Sequence, residues 1–225
     1  MGQKSPGFPG LLFEILAADR LRLQGGVLKP DMIRVVDASI KDQILEKAID
    51  LFYQKGYAGA SVREIVRAVK VSNSVLYHYF KDKNELLYII IERTGRHLIE
   101  SLRKIEEECE DPIEALSQMI LTQVSIIREK TKETKIFLEE QYQLKDSYRK
   151  KILEQHREIY SIYKRQLERL ESQGKLRDVN KTTANFAVHA MMNWFYRWYK
   201  ESGPLSMEDV ARQIIDIFFF GILKT

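Results

Sequence analysis

The sequence predicts an all-α protein in two parts, a small three-helix unit followed by a larger helical domain, and three observations carry that expectation. Apolar residues recur at helical spacing almost without a break from Ile40 onward. Capping residues stand ahead of most of these stretches, and glycine or proline follows several of them. Nowhere do apolar and polar residues alternate over the length of a strand.

Residues 1–38 hold Pro6, Pro9, Pro30, Gly25 and Gly26 without a sustained period, and read as a tail or leader, with Met32 a candidate natural start. Ile44, Leu45, Ala48, Leu51 and Phe52 then mark a first helix that stops at Gly56. In "SVRE", Ser61 and Glu64 form a capping box for a short second helix ending near Ala68. After a tight turn, Ser72 caps a third helix that runs to about Tyr79. Asp82 with Glu85 opens a long helix whose stripe runs through Leu86, Leu87, Ile90, Ile91, Leu98, Leu102 and Ile105. Asp111, Pro112 and Glu114 start the next helix, with proline at its favoured first position. Further helices are expected over 113–130, 134–143, 147–173, 181–200 and 207–222, with breaks at Gly174 and at Gly203 and Pro204. The domain expectation is therefore 39–86 and 87–225.

Composition narrows the function. No apolar run is long enough for a membrane helix, and the Leu11–Leu16 run is interrupted by Glu14, so no membrane or export role is expected and the cytoplasm fits. Cys109 is a lone cysteine, and His78, His97, His156 and His189 lack zinc-ligand spacing, so no metal or other cofactor is expected. His156, Tyr160, Glu154 and Glu158 can in principle do acid-base work, but no nucleophile motif or glycine-rich phosphate loop supports an enzyme. The net charge of +4 is modest, yet between Ser61 and Lys83 the bases Arg63, Arg67, Lys70, Lys81 and Lys83 outnumber Glu64 and Asp82 by three.

Two short helices joined by a tight turn and backed by a first helix form a helix-turn-helix, whose second helix enters the DNA major groove. Val71 and Leu76 are expected to face the core, near Ile65, Ala68 and Phe52, which leaves Asn73, Ser74, Tyr77 and His78 outward. Asparagine reads adenine edges, serine reads either kind of base, and tyrosine and histidine donate to phosphates. Helix starts near Ser61, Ser72 and Asp82 offer amides to phosphate, and Arg63 and Lys83 add charge. The bland alternative, surface aromatics on a helical bundle, leaves unexplained why so short and polar a helix is presented at all.

Residues 44–87, "ILEKAIDLFYQKGYAGASVREIVRAVKVSNSVLYHYFKDKNELL", resemble the DNA-binding domain of the TetR family of transcriptional regulators. Ala48, Phe52, Gly56, Tyr57, Ser61, Ile65, Val71, Ser72, Leu76, Tyr77, Phe80, Lys83 and Leu86 stand where that pattern expects them. Ala60 replaces its usual threonine, Lys70 the glycine of the turn and Ser74 the glycine of the third helix. The resemblance implies a homodimer on double-stranded operator DNA, with a C-terminal helical domain that encloses a small effector.

"NFAVHAMMNWFYRWYK" (185–200) is apolar nearly all round, as is the helix holding Ile214, Ile215, Ile217, Phe218, Phe219 and Phe220, so both need cover on two sides. Packing against a second copy supplies the second cover. His189, Asn193 and Arg197, four apart on one stripe, are effector candidates, and read equally as satisfied core polars and an interface ion pair. Tyr142, His156, Tyr160 and Tyr163 are weaker ones. Residues 191–222 resemble the C-terminal signature of TetR-family members that govern fatty-acid degradation and answer to acyl-coenzyme A, through Asn193, Trp194, Trp198, Tyr199, Gly203, Pro204 and Leu205. A tunnel lined by Phe137, Tyr160, Met192 and Trp194 would bury an acyl chain, with Arg197 or nearby lysines facing the phosphates. The alternative is a regulator of an efflux or stress gene that answers to a hydrophobic drug-like molecule.

Overall fold

The computed structural model describes residues 30–224. Among them the chain is helical: α1 (Pro30–Gly59), α2 (Val62–Val69), α3 (Asn73–Tyr79), α4 (Lys83–Glu108), α5 (Pro112–Glu129), α6 (Thr131–Glu139), α7 (Asp146–Ser172), α8 (Lys181–Asn193), α9 (Phe195–Trp198) and α10 (Met207–Ile222). The expected tail lies largely outside the described residues, but its last part is helix. No glycine or proline lies between Asp31 and Lys55 to stop α1 from extending back to Pro30. Gly56 interrupts α1 with φ 71 and ψ 164, a conformation open to glycine alone.

Two compact units divide the chain. The first takes residues up to Ala48 and Val62–Lys81, and the second takes Ile49–Ser61 and everything from Asp82 on. In the first unit, Ile44, Leu45, Ala48, Ile65, Val66, Leu76 and Phe80 are buried. Ala68, expected among them, is exposed, because the buried stripe of α2 runs through Ile65 and Val66 with Val69 at its edge, and Ala68 lies about a third of a turn away.

In the second unit α4 packs on α5, α6 and α7, α5 also meets α10, and α8 lies between α7 and α10. The end of α1 is tied into it by Lys132 paired with Asp50 at 2.6 Å. Asn84 donates to the Tyr57 hydroxyl at 3.1 Å and to the Gln143 carbonyl at 2.9 Å. Two helix boundaries differ from expectation. The helix expected over 134–143 is α6 followed by a separate 3-10 turn, Gln141–Gln143, and α6 starts early because Thr131 closes α5 by donating to the carbonyls of Ile127 and Arg128. The helix expected over 181–200 breaks at Trp194, where the Trp194 and Arg197 amides bond two and three residues back in place of four.

Candidate functional site

α3 stands on a local scaffold. Ser72 caps it by accepting from the Val75 amide at 3.4 Å, and the Ser72 and Ser74 hydroxyls pair at 2.7 Å. Leu76 is fully buried, whereas Asn73, Ser74, Tyr77 and His78 are all exposed, Tyr77 by 53%. Four polar side chains therefore share the surface of a helix held by one inward leucine. Ser61 and Arg63, at the start of α2, are exposed too. The turn before α3 is a Schellman motif: the Lys70 amide donates to the Arg67 carbonyl at 3.2 Å, and the Val71 amide to the Val66 carbonyl at 3.0 Å. Lys70 takes the left-handed position with φ 62, where glycine is the unstrained choice, at a cost of about 1 kcal/mol. Val71, expected in the core, is half-buried.

Two expected phosphate contacts are engaged within the chain. Lys83 donates to the Tyr57 carbonyl, and its amine sits 4.1 Å from the centre of the Tyr57 ring. Its charge is held by a carbonyl and a π face, so Lys83 does not join the exposed set. At the start of α4, Asp82 accepts from the Glu85 amide at 2.9 Å and from Lys145 at 2.5 Å. Burial pushes the Asp82 carboxyl up, but the lysine and the amides outweigh it and leave it below the usual range. An ionised carboxylate fills the place where a phosphate was expected.

The second unit holds a small cavity of about 30 Å³ among α4, α5, α6 and α8, lined by Thr94, Gly95, Leu98, Gln123, Phe137 and Asn193 among others. That is close to the volume of one water molecule. Polar contacts lead away from it into the bundle. Gln123 donates to Asn193 at 3.4 Å, and the buried Tyr163 hydroxyl donates to Gln123 at 3.1 Å. The His189 ring packs edge-on against Tyr160 and Tyr163, with centroids 4.5 and 4.6 Å away. Burial, with the nearby His156 adding to it, pushes the His189 imidazole down to about 3. Burial also lowers His156, whose ring lies 4.9 Å from Phe137. Both rings are neutral at physiological pH.

Of the expected effector residues, Phe137 and Asn193 line the cavity, and His189 and Met192 lie buried behind it. Tyr160 is half-buried against His189, His156 meets Phe137 and Tyr163 is fully buried, whereas Tyr142 is 75% exposed. Trp194 and Arg197 are elsewhere. Because the helix breaks at Trp194, Arg197 leaves the stripe of His189 and Asn193, pairs with Glu139 at 2.6 Å and stacks over Trp194 at 4.8 Å. Burial opposes ionisation of Glu139, but hydrogen bonds from Tyr196 and Arg197 prevail and lower it. Sequence reasoning misses four groups at the cavity or behind it: Gly95, Gln123, Gln155 and Asn185. Gly95 leaves a trace in the sequence, as a glycine inside an otherwise apolar helical stripe. Gln155 Oε1, His156 Nε2, Asn185 Oδ1 and His189 Nε2 are buried without a hydrogen-bond partner, and such an unmet group costs about 1–3 kcal/mol.

Comparison with known proteins assigns both units. Residues 44–88 match the family model of bacterial regulatory proteins of the tetR family, and residues 109–222 match the tetracyclin repressor-like C-terminal domain. The chain belongs to the TetR family. It is similar to the TetR-family regulator PfmR from Thermus thermophilus, with 32% identity over 79% of this chain and 97% of that one, at a TM-score of 0.73. AibR, solved in complex with isovaleryl coenzyme A and operator DNA, is 27% identical over 80% of this chain and 98% of its own, at a TM-score of 0.74. Among curated proteins, the transcriptional repressor KstR2 of Mycolicibacterium smegmatis is 24% identical over 84% of this chain and 93% of KstR2. As a TetR-family protein the chain is a DNA-binding transcriptional regulator, with α2 and α3 as its helix-turn-helix.

Proposed function

We propose that the protein is a homodimeric repressor that binds a palindromic operator through α3 and is released by a long-chain acyl-coenzyme A. One observation carries the DNA half: α3 buries a single leucine and turns Asn73, Ser74, Tyr77 and His78 to solvent. Asn73 and Ser74 reach base edges, while Tyr77, His78, Ser61, Ser72 and Arg63 contact phosphates. Exposed Phe186 on α8, with Ile217 and Phe220 on α10, 64% and 80% exposed, supports a second copy as the cover for these helices. A two-fold dimer presents two copies of α3 to two half-sites.

The effector half rests on the apolar cavity and on AibR, whose complex holds an acyl-coenzyme A together with operator DNA. Phe137, Met192 and Tyr160 line the path of the acyl chain. A cavity near 30 Å³ is too small for such a chain, so binding parts α4 from its neighbours and favours a different arrangement of the bundle. Three residues, Phe80, Lys81 and Asp82, separate α3 from α4 in the chain. Titrating a protein–operator complex with acyl-coenzyme A of increasing chain length tests this. Each buried methylene contributes about 0.8 kcal/mol, so potency rises roughly fourfold per carbon until the cavity is filled. Release by no member of the series removes this effector class and leaves the DNA-binding reading in place.

A further inference from the structure

The four unpartnered buried atoms fall on two packed helices, Gln155 and His156 on α7 and Asn185 and His189 on α8. Their hydrogen-bonding polarity is fixed by what the other ends of the side chains do. Gln155 Nε2 donates to the Glu92 carbonyl at 3.1 Å, and Asn185 Nδ2 donates to the Tyr160 carbonyl at 2.8 Å. A carbonyl only accepts, so the unpartnered end of both amides is the oxygen. Each of the two helices therefore carries one bare acceptor oxygen and one neutral imidazole. The pair on α7 adjoins the cavity: Gln155 Oε1 lies 2.6 Å from where a Cβ on Gly95 would stand, and the His156 ring contacts Phe137. Gly95 and Phe137 both line that cavity. Among the described residues no group of three or more histidine, cysteine or carboxylate side chains could hold a metal.

A saturated hydrocarbon chain gives the Gln155 oxygen and the His156 ring nitrogen nothing, and would bury that oxygen without a donor. A hydroxyl suits them, because it donates to an amide oxygen and accepts from an imidazole N–H at once. We propose that Gln155 and His156 bind a hydroxyl group carried on the apolar chain of the effector, so that the effector is a hydroxylated acyl chain and not a saturated one. The proposal rests on the acyl-coenzyme A reading above. Gly95 has a matching role, since any side chain there would displace Gln155 from the cavity wall.

The test is calorimetric titration of the full chain, without DNA, against acyl-coenzyme A thioesters of one chain length. One member is saturated, others carry a hydroxyl at successive carbons, and one carries the methyl ether of the best hydroxyl. At least one hydroxyl position should bind about tenfold more tightly than the saturated chain, and its methyl ether should lose that gain. Gln155→Met, checked for helix content, should bring the ratio near one, because it removes the acceptor that tells the hydroxylated chain from the saturated one. Equal or weaker binding of every hydroxylated member overturns the proposal and leaves the acyl-coenzyme A effector standing. Absence of binding by all members, the saturated one included, overturns both, and a preference unchanged in Gln155→Met overturns the assignment to this pair.

Discussion

Acidification should weaken the effector domain through His189 in particular. Its ring is 3% exposed, packed between Tyr160 and Tyr163 with His156 nearby, and its pKa falls from the ordinary 6.5 to about 3. Between these values the unfolded chain binds a proton that the folded chain refuses. Stability therefore rises with pH across the window, is complete above about pH 6.5 and is lost as pH falls below it. At about pH 5 the difference in proton affinity amounts to roughly 2 kcal/mol. His156, also lowered, adds a contribution of the same sign, so the assay compares wild type with His189→Leu, which keeps His156. Urea unfolding at a series of pH values between about 7.5 and 5 should show wild type losing roughly 2 kcal/mol more than the variant. Equal losses in the two proteins would refute the burial argument, because the histidine would then be ionising within the fold.

Other expectations concern the reading helix and the outer faces. Asn73→Ala should cost about 1–3 kcal/mol on the preferred operator and little on other duplexes, whereas Tyr77→Phe should weaken all duplexes alike, as gel shifts on matched operator variants will report. Lys70→Gly relieves the strain at φ 62 but frees the unfolded chain, and should raise thermal stability by roughly 0.5 kcal/mol. Phe220→Glu should give a folded monomer by sedimentation, while Phe218→Glu should unfold the domain, since Phe218 is only 4% exposed.

The parts that rest on local chemistry are legible in the sequence. Ser72, Asp82, Asp111, Asn180 and Ser206 each accept from the amide three residues on, and all but Asn180 and Ser206 read as helix starts from sequence alone. The outward set of α3 follows from spacing, because Leu76 fixes the phase of a seven-residue helix. The distant pairings are not legible. Lys83 reads as a phosphate ligand until Tyr57, 26 residues away, supplies a carbonyl and a ring. Arg197 reads as a cavity cation until Glu139, 58 residues away, holds it outside. Over-apolar character tells that α10 needs two covers but not which phenylalanine meets which, so Phe218 reads as a partner contact although it belongs to the core of its own chain. Gln155 is an isolated polar residue in sequence, and it acquires a meaning only when α7 packs on α4 and sets its oxygen against Gly95.

Selection of duplexes from a random-sequence pool by the full chain tests the central claim most directly, since the operator need not be known in advance. The account predicts enrichment of a palindrome whose half-sites are about one helical turn, or a multiple of it, apart, bound with an affinity that falls steeply with salt. Enrichment of no sequence, or of a site without two-fold symmetry that Asn73→Ala binds as tightly as wild type, would contradict it.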